Sequence, residues 1–213
     1  MGTDSDPYVD DRFALIERLD RLGYIDTTAT ADALKTVPRH TFLPASAHER
    51  AYDDRPLPIG ADQTISAPHM VAMMTDLLAP KSGDRILEIG TGCGYHAAVV
   101  AEIAGAAQVY SVEVEPSLAE TARSRLARAG YDAVSVRVGD GAEGWPENAP
   151  YDAAYLTCAA PELPDAIVEQ VRPRGRIVAP IGTRRQTLFR YHVGDDGIAT
   201  RERHGGVRFV PLR

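Results

Sequence analysis

The feature that most constrains the fold is an alternation of strand-like and helix-like segments that begins near residue 85. RILEIG, QVYSVEVE, VSVRVGD, YDAAYLTCA and GRIVAPIG are predicted strands, and segments such as YHAAVVAEIAG and PSLAETARSRLARAG are predicted helices between them. This alternation predicts an α/β fold with a mostly parallel sheet and helices on both faces. TLFRYHV and GVRFVPL, separated by GDDG, predict C-terminal antiparallel strands at the sheet edge.

The N-terminal third has a different pattern. Residues 8–37 predict two helices, and residues 39–67 form a proline-containing segment without a period, for which we expect an ordered functional loop. Pro68 suits the first turn of a helix over residues 68–79. We therefore expect one domain over residues 1–213, with an N-terminal helical and loop extension (1–67) on a ligand-binding α/β core (68–213).

A glycine-rich loop, EIGTGCG, follows the first strand of this core and opens a helix. Its glycines allow a backbone to approach a ligand closely, although they could also serve only to form a tight turn. Glu113 ends the next predicted strand, where a carboxylate can accept hydrogen bonds from ribose hydroxyls. Asp140 ends the third strand, where a carboxylate can accept from an adenine amino group. The sequence therefore predicts a nucleoside site at the carboxyl ends of the strands.

The position of Glu88 distinguishes between two candidate kinds of nucleoside cofactor. Dinucleotide enzymes use GxGxxG with a helix N-terminus on the pyrophosphate, whereas here the spacing is GxGxG and Glu88 precedes the first glycine by two residues. A carboxylate at that place would repel a pyrophosphate but would suit a cationic ligand with an amino group. The sequence therefore favours S-adenosylmethionine, with an NAD-dependent reductase as the weaker alternative.

The composition argues against several other classes of protein. The net charge is −7 and lysine occurs only at positions 35 and 81, which argues against a nucleic-acid-binding surface. No apolar run approaches the roughly 18 residues that a membrane span needs, and the polar N-terminus is no signal peptide. The cysteines and histidines lack metal-site spacing, so no metal is expected. We expect a cytoplasmic protein with no membrane partner.

Four stretches resemble protein-L-isoaspartate O-methyltransferases, in the family's order and from about residue 35 onwards. They are RPLPIGADQTISAPHMVAMMTDLL, LEIGTGCGYHAAVVAEI, VGDGAEGWPENAPYDAAYLTCAAPELP and GVRFVPL. The QTISAPHM block is specific to this family, whereas many methyltransferases share the glycine loop. The AYLTCAAPELP stretch is similar to haloarchaeal members and favours a high-salt cytoplasm.

The resemblance implies an S-adenosylmethionine-dependent methyltransferase with a Rossmann-like sheet and an unusual arrangement of its last strands. It implies methyl transfer to the free α-carboxylate of L-isoaspartyl residues in damaged proteins, which initiates repair through a succinimide. The implied partners are isoaspartyl-containing proteins and peptides, and we expect a monomer.

The resemblance also assigns site residues. The family's serine falls on Ser66, for which we predict a catalytic role as a hydrogen-bond donor that positions the substrate; the alternative is a helix N-cap. A carboxylate is already ionised at pH 7, so this reaction needs alignment rather than a general base. The family's cofactor residues fall on Glu88, Gly90, Gly92, Glu113, Asp140 and Gly141, and we also predict Thr64, Thr91 and Gly94 to bind the cofactor. The predicted substrate-binding residues are Ile59, His69 and Val210.

Purely structural roles for some of these residues, and other functions for the protein, are also consistent with the sequence. His69 could simply be exposed, Val210 could only pack in an edge strand, Cys93 could be a loop filler and Cys158 could line the site. An enzyme that methylates aspartate in one dedicated peptide is a further candidate, but an added leader-recognition segment would be expected. A non-catalytic S-adenosylmethionine-binding module is another, and the presence of the full set of predicted site residues argues against it.

Overall fold

A seven-stranded sheet organises the protein in the computed structural model, which describes residues 6–213. Residues 1–5 of the predicted N-terminal extension lie outside the described residues. Two short strands of the extension form a hairpin of their own, and the remaining strands form the sheet. The strands are β1 (Leu57–Gly60), β2 (Gln63–Ile65), β3 (Ile86–Ile89), β4 (Val109–Glu113), β5 (Ser135–Val138), β6 (Tyr151–Leu156), β7 (Val171–Ile181), β8 (Gln186–Gly194) and β9 (Gly197–Val207).

The strand order of the sheet is β5-β4-β3-β6-β7-β8-β9. The five strands from β5 to β7 form four parallel pairs, and β8 and β9 pair antiparallel, which confirms the predicted fold class. Because β3 pairs with both β4 and β6, the chain builds the sheet outward in two directions from β3. The strand order reverses at β3, and ligands bind at such a reversal in open α/β sheets. The topology therefore predicts a ligand site at the carboxyl end of β3.

Helices cover both faces of this sheet. Side chains alternate along each strand, so that Ile86 belongs to one apolar cluster and Leu87 to the other. The first cluster also contains Leu19 and Phe42 of the extension, and the second contains Ile167. None of the helices within residues 6–213 is long and apolar enough to cross a membrane. The helices are α1 (Val9–Arg21), α2 (Thr28–Thr36), α3 (Pro68–Leu78), α4 (Tyr95–Ala104), α5 (Pro116–Arg128) and α6 (Asp165–Gln170).

The C-terminal hairpin differs from its predicted boundaries. TLFRYHV lies in β8 as expected, but β9 is formed by residues 197–207, and only the first residues of GVRFVPL belong to it. Most of β9 is polar and exposed on the sheet edge, so no apolar alternation marks it in the sequence. The apolar residues after it instead turn back across the sheet end. There the Ala159 amide donates to the Val210 carbonyl, and the Leu212 amide donates to the Ala159 carbonyl, both at 2.8 Å.

Arg39 joins the extension to the loop that precedes α3. Its guanidinium is fully buried and donates to the carbonyl oxygens of Ala51 and Ser66, each at 2.8 Å. It also lies 5.1 Å from the centre of the Tyr95 ring at the start of α4. Burial lowers the pKa of this guanidinium, because the charged form loses its hydration. A buried cation therefore holds the Ser66 loop against the core.

Replacement of this cation tests how strongly it holds the two parts together. We expect Arg39→Met to lower the free energy of unfolding by about 2–5 kcal/mol, because two carbonyl groups lose their donor. The exposed Arg50 provides a matched control, and Arg50→Met should change the free energy of unfolding by less than about 0.5 kcal/mol. Urea denaturation followed by circular dichroism measures both. Equal stability of the two variants would contradict this role.

Candidate functional site

Two adjoining cavities open at the carboxyl ends of the central strands. The outer cavity encloses about 610 Å³ of space between atoms, part of which is open solvent, and the inner cavity about 350 Å³. Thr64, Gly90, Gly92 and Thr157 line both. The outer cavity is also lined by Glu113, Glu115, Gly141, Cys158, Val210 and Leu212. The inner cavity is also lined by Ser66, Glu88, Thr91, Cys93, Tyr95 and His96.

The glycine loop forms the wall between the cavities. Gly90 has a φ of +95°, and a Cβ at this position would collide with the Thr157 hydroxyl, so only glycine fits without strain. That hydroxyl donates to the Gly90 carbonyl at 2.5 Å and fixes the loop from the end of β6. The Gly92 amide points to the next strand and donates to Glu113 Oε2 at 2.8 Å. The loop is therefore held from both neighbouring strands.

Glu113 presents a fixed carboxylate to the outer cavity. Its side chain is buried at the end of β4, and its Oε1 accepts a second hydrogen bond, from the Glu115 amide at 3.0 Å. Each carboxylate oxygen has two lone-pair directions, so each can accept one further donor from a ligand. This arrangement suits a ligand with two adjacent hydroxyl groups, as the sequence predicts for a ribose.

Glu88 lies under the glycine loop and borders the inner cavity. It is fully buried on β3, where its Oε2 accepts from the Ser111 hydroxyl at 2.5 Å and its Oε1 from the Tyr155 hydroxyl at 2.7 Å. Because Ser111 donates to Glu88, the Thr91 hydroxyl must donate to Ser111 in their 2.5 Å contact. The Thr91 side chain therefore belongs to the network that supports Glu88.

The protonation state of Glu88 follows from this burial. Loss of hydration raises the pKa of its carboxyl to about 8, against the opposing effect of the hydrogen bonds from Ser111 and Tyr155, and the Glu113 charge raises it further. Without a ligand the group is thus mostly protonated at pH 7. A cation in the neighbouring cavity would favour the charged form, so the carboxyl is suited to ionise when a cationic ligand binds.

Ser66 lies at the inner cavity, at the end of the β1–β2 hairpin segment. Helix α3 has Ala67 as its N-cap and Pro68 in its first turn, without a side-chain capping bond, so the N-cap interpretation of Ser66 is wrong. Within residues 6–213 the Ser66 hydroxyl has no hydrogen-bond partner, while Arg39 holds its backbone carbonyl. The hydroxyl is half-buried and free to bind a ligand in the cavity that Glu88 borders.

Gly141 and Asp140 lie at the end of β5 and take different positions. Gly141 lines the outer cavity, and a Cβ there would come within 2.5 Å of Ile89. The exposed Asp140 carboxylate accepts from the Ala142 amide at 2.8 Å and shapes the turn that carries Gly141. Asp140 is not among the residues that line either cavity.

Three other predicted residues also lie outside the cavity linings. His69 Nδ1 is 2.8 Å from Asp54 Oδ1, and its ring packs 5.1 Å from that of Tyr24, so it fixes the start of α3. Gly94 begins α4 and faces Leu126, which a Cβ would approach to 3.1 Å. Ile59 packs beneath Gly92. Their positions support the elements that carry the site, whereas Val210 lines the outer cavity directly.

Sequence reasoning missed several residues of the site. Thr157 follows the carboxyl end of β6. It could have been found by the same reasoning as Glu113, because ligands bind at the carboxyl ends of the strands in open α/β sheets. No feature of the sequence pointed to His96. Its Nε2 donates to the Thr75 hydroxyl, which itself donates to the Val71 carbonyl. Its Nδ1 is buried without a hydrogen-bond partner among residues 6–213. Burial lowers the pKa of His96 to about 3, so the ring is neutral. Gln186 clamps the C-terminal segment, because its side chain exchanges two hydrogen bonds with the Phe209 backbone.

The two cysteines are both buried and free. Burial raises the pKa of Cys158 to about 12 and also raises that of Cys93, despite the helix that begins after it. A thiol rather than a thiolate is therefore present at pH 7 at both positions, which agrees with Cys93 as a loop filler, and Cys158 lines the outer cavity.

Solved structures place this fold and site in the class of S-adenosylmethionine-dependent methyltransferases. A protein-L-isoaspartate O-methyltransferase structure aligns with a TM-score of 0.86 and 30% identity over 94% of this chain and 65% of that chain. A Plasmodium falciparum protein assigned to the same enzyme type, in complex with S-adenosyl-L-homocysteine, aligns with a TM-score of 0.83 and 25% identity over 95% of this chain and 98% of that chain.

Sequence comparison then gives the family. The profile of the Protein-L-isoaspartate(D-aspartate) O-methyltransferase (PCMT) family matches residues 10–213. The protein-L-isoaspartate O-methyltransferase of Methanopyrus kandleri is 49% identical over the whole of this chain and 95% of its own length. The chain belongs to the PCMT family, and the resemblance noted in the sequence is confirmed.

The burial of Glu88 predicts a specific pH dependence of stability. Between its ordinary pKa of 4.5 and the raised value of about 8, the folded protein holds a proton that the unfolded chain has lost, so stability falls as pH rises through this window. Relative to Glu88→Gln, which cannot ionise, the ligand-free protein should lose up to about 5 kcal/mol between pH 4.5 and 8.

Urea denaturation of both proteins at several pH values measures this difference. Subtraction of the Glu88→Gln profile removes the contribution of all other titrating groups, provided that the unfolded states are alike. A constant stability difference from pH 5 to 8 would show that Glu88 ionises normally and would contradict the prediction.

Proposed function

We propose that this protein transfers a methyl group from S-adenosylmethionine to the free α-carboxylate of L-isoaspartyl residues in damaged proteins, and so initiates their repair. The observation that carries the proposal is that the free hydroxyl of Ser66 and the buried carboxyl of Glu88 border one cavity. This inner cavity adjoins an outer one in which Glu113 can accept two hydroxyl groups. Family membership supports the same reaction.

The residues of the two cavities fit this cofactor. Glu113 would hold the ribose, Gly141 and Leu212 would leave room for a flat base, and Glu88 would balance the charge at the amino-acid end. The bound cofactor supplies an electrophilic methyl group on a positively charged sulfur. The Thr64 and Gly92 positions, common to both cavities, are then where the reacting groups meet.

Ser66 acts as a positioning residue that contacts the substrate. Its hydroxyl donates a hydrogen bond to the substrate carboxylate and holds one oxygen in line with the methyl group; such alignment is the main contribution that a protein can make to a displacement by an ionised carboxylate. Attraction between an anion and a sulfonium cation weakens as the transition state neutralises them, so exclusion of water also helps. The C-terminal segment at Val210 and Leu212 provides the apolar cover.

Three further features belong to this proposal. The chain acts as a single domain, for which the apolar cluster shared by the extension and the α/β core is the support. It acts as a monomer in the cytoplasm, where its two free thiols suit reducing conditions. Its partners are isoaspartyl-containing proteins and peptides rather than nucleic acid or membrane, in keeping with the net charge of −7.

Two peptides that differ only in one isoaspartyl or aspartyl linkage test the reaction. We expect transfer of a labelled methyl group from S-adenosylmethionine to the isoaspartyl peptide at least tenfold faster, since only this linkage presents a free α-carboxylate on the extended backbone. Equal labelling of the two peptides, or none, would contradict the proposed function.

Ser66→Ala tests the positioning role in the same assay. Loss of alignment should lower kcat by about 10- to 100-fold, while the affinity for S-adenosylhomocysteine measured by calorimetry stays within about twofold. The exposed Ser46→Ala serves as the matched control and should keep full activity. A Ser66→Ala enzyme with unchanged kcat would remove Ser66 from the mechanism.

A further inference from the structure

Three exposed arginines lie together at the carboxyl end of β7, at the same end of the sheet as the two cavities. Arg184 and Arg185 occupy the turn that joins β7 to β8, at the carboxyl end of β7, where the ligand-binding edge of the sheet continues. Arg208 directly follows Val207, which pairs with Gln186 across the hairpin, so it lies next to that turn. We call these three residues the basic rim. The same segment runs on from Arg208 to the cavity-lining residues 210–213.

The basic rim has charge that the protein itself does not neutralise. Among residues 6–213, none of its three guanidinium groups forms an ion pair with a carboxylate within 4.0 Å. Residues 184–213 contain seven arginines and three acidic residues, in a chain that has 23 basic and 30 acidic residues in total. The C-terminal thirty residues therefore carry a net positive charge in an otherwise acidic chain.

This distribution has a consequence for encounters with a protein substrate. A surface of net negative charge repels an acidic partner, whereas a local positive patch at the site entrance attracts it and orients it before contact. We propose that the basic rim binds acidic side chains that flank the isoaspartyl residue in the substrate, an inference that rests on the proposed function. The enzyme thereby prefers damaged sites in acidic segments.

The contacts favour a peptide over a nucleic acid as the occupant. A nucleic-acid backbone carries regular phosphate charges and needs an extended basic surface, whereas the rim offers three arginines and the rest of the chain is acidic. The fork-shaped guanidinium groups match single carboxylates through paired hydrogen bonds. Arg208 precedes Val210, which lines the outer cavity, by two residues, so an acidic side chain bound at the rim would belong to a residue near the reacting carboxylate in the substrate chain.

Three isoaspartyl peptides that differ only in their flanking residues test this preference. With glutamate, glutamine or lysine on both sides of the isoaspartyl residue, the wild-type kcat/KM at low salt should be about 5- to 10-fold higher for the glutamate peptide than for the lysine peptide. The difference should arise in KM and should shrink in about 1 M salt, where the charges are screened.

Two triple variants separate local from net charge. The rim variant combines Arg184→Gln, Arg185→Gln and Arg208→Gln. It should bring the ratio of kcat/KM for the glutamate peptide to kcat/KM for the lysine peptide close to one, and it should leave kcat for the glutamine peptide unchanged. The control combines Arg18→Gln, Arg21→Gln and Arg128→Gln on α1 and α5; it has the same net charge and should retain the wild-type ratio.

The outcomes distinguish the possible failures. Equal kcat/KM for the three peptides with the wild-type enzyme, or an unchanged ratio in the rim variant, would overturn the basic rim as a substrate site while leaving the methyltransferase function intact. Absence of methylation of all three peptides would instead contradict the proposed function itself, and the rim's proposed role with it. A single-stranded DNA oligonucleotide that binds the rim more tightly than a glutamate-rich peptide would identify a nucleic-acid occupant and overturn the proposal.

Discussion

The buried carboxyl of Glu88 is the interaction on which the site depends. It is placed at the centre of the sheet and accepts from Ser111 and Tyr155, and among residues 6–213 it forms no ion pair that would balance a charge. Its pKa of about 8 means that the ligand-free protein keeps it mostly neutral, and a bound cation can draw out its charge. The carboxyl of Glu88 is therefore neutral without a ligand and would ionise when a positively charged cofactor binds beside it. This would give selectivity for a cation over a phosphate without a permanently buried anion.

The frame around this carboxyl comes from contacts between distant parts of the chain. Arg39 in the extension fixes the backbone of Ser66, Thr157 after β6 fixes Gly90, and Gln186 fixes the segment that covers the outer cavity. Each of these contacts uses a backbone carbonyl or amide rather than a second side chain. The geometry of the loops is therefore set by a small number of buried and half-buried donors, and exposed side chains such as those of the basic rim remain free to contact a substrate.

The sequence predicted the core well because its signals are local. Strands such as β3 and β4 are short apolar runs, the helices between them begin or end at proline and glycine, and Glu113 follows directly from the rule that strand ends bind ligands. The last antiparallel strand was predicted, but the bounds of β9 were wrong because an exposed edge strand needs no apolar alternation. The Ser111–Glu88–Tyr155 network could not be foreseen, since its members are 23 and 67 residues apart and meet only through the strand order. His69 was predicted to contact substrate from its place in the first turn of a helix, but its position beside Asp54 depends on the fold of residues 39–67.

Proton release on cofactor binding tests the central claim most directly. Titration calorimetry with S-adenosylmethionine at pH 7, in buffers of different ionisation enthalpy, counts the protons that binding releases. We expect the wild-type protein to release close to one proton more than Glu88→Gln, because the cation converts a mostly protonated carboxyl to its charged form. Identical proton counts for the two proteins would show that Glu88 does not change its charge when the cofactor binds, and would contradict the account.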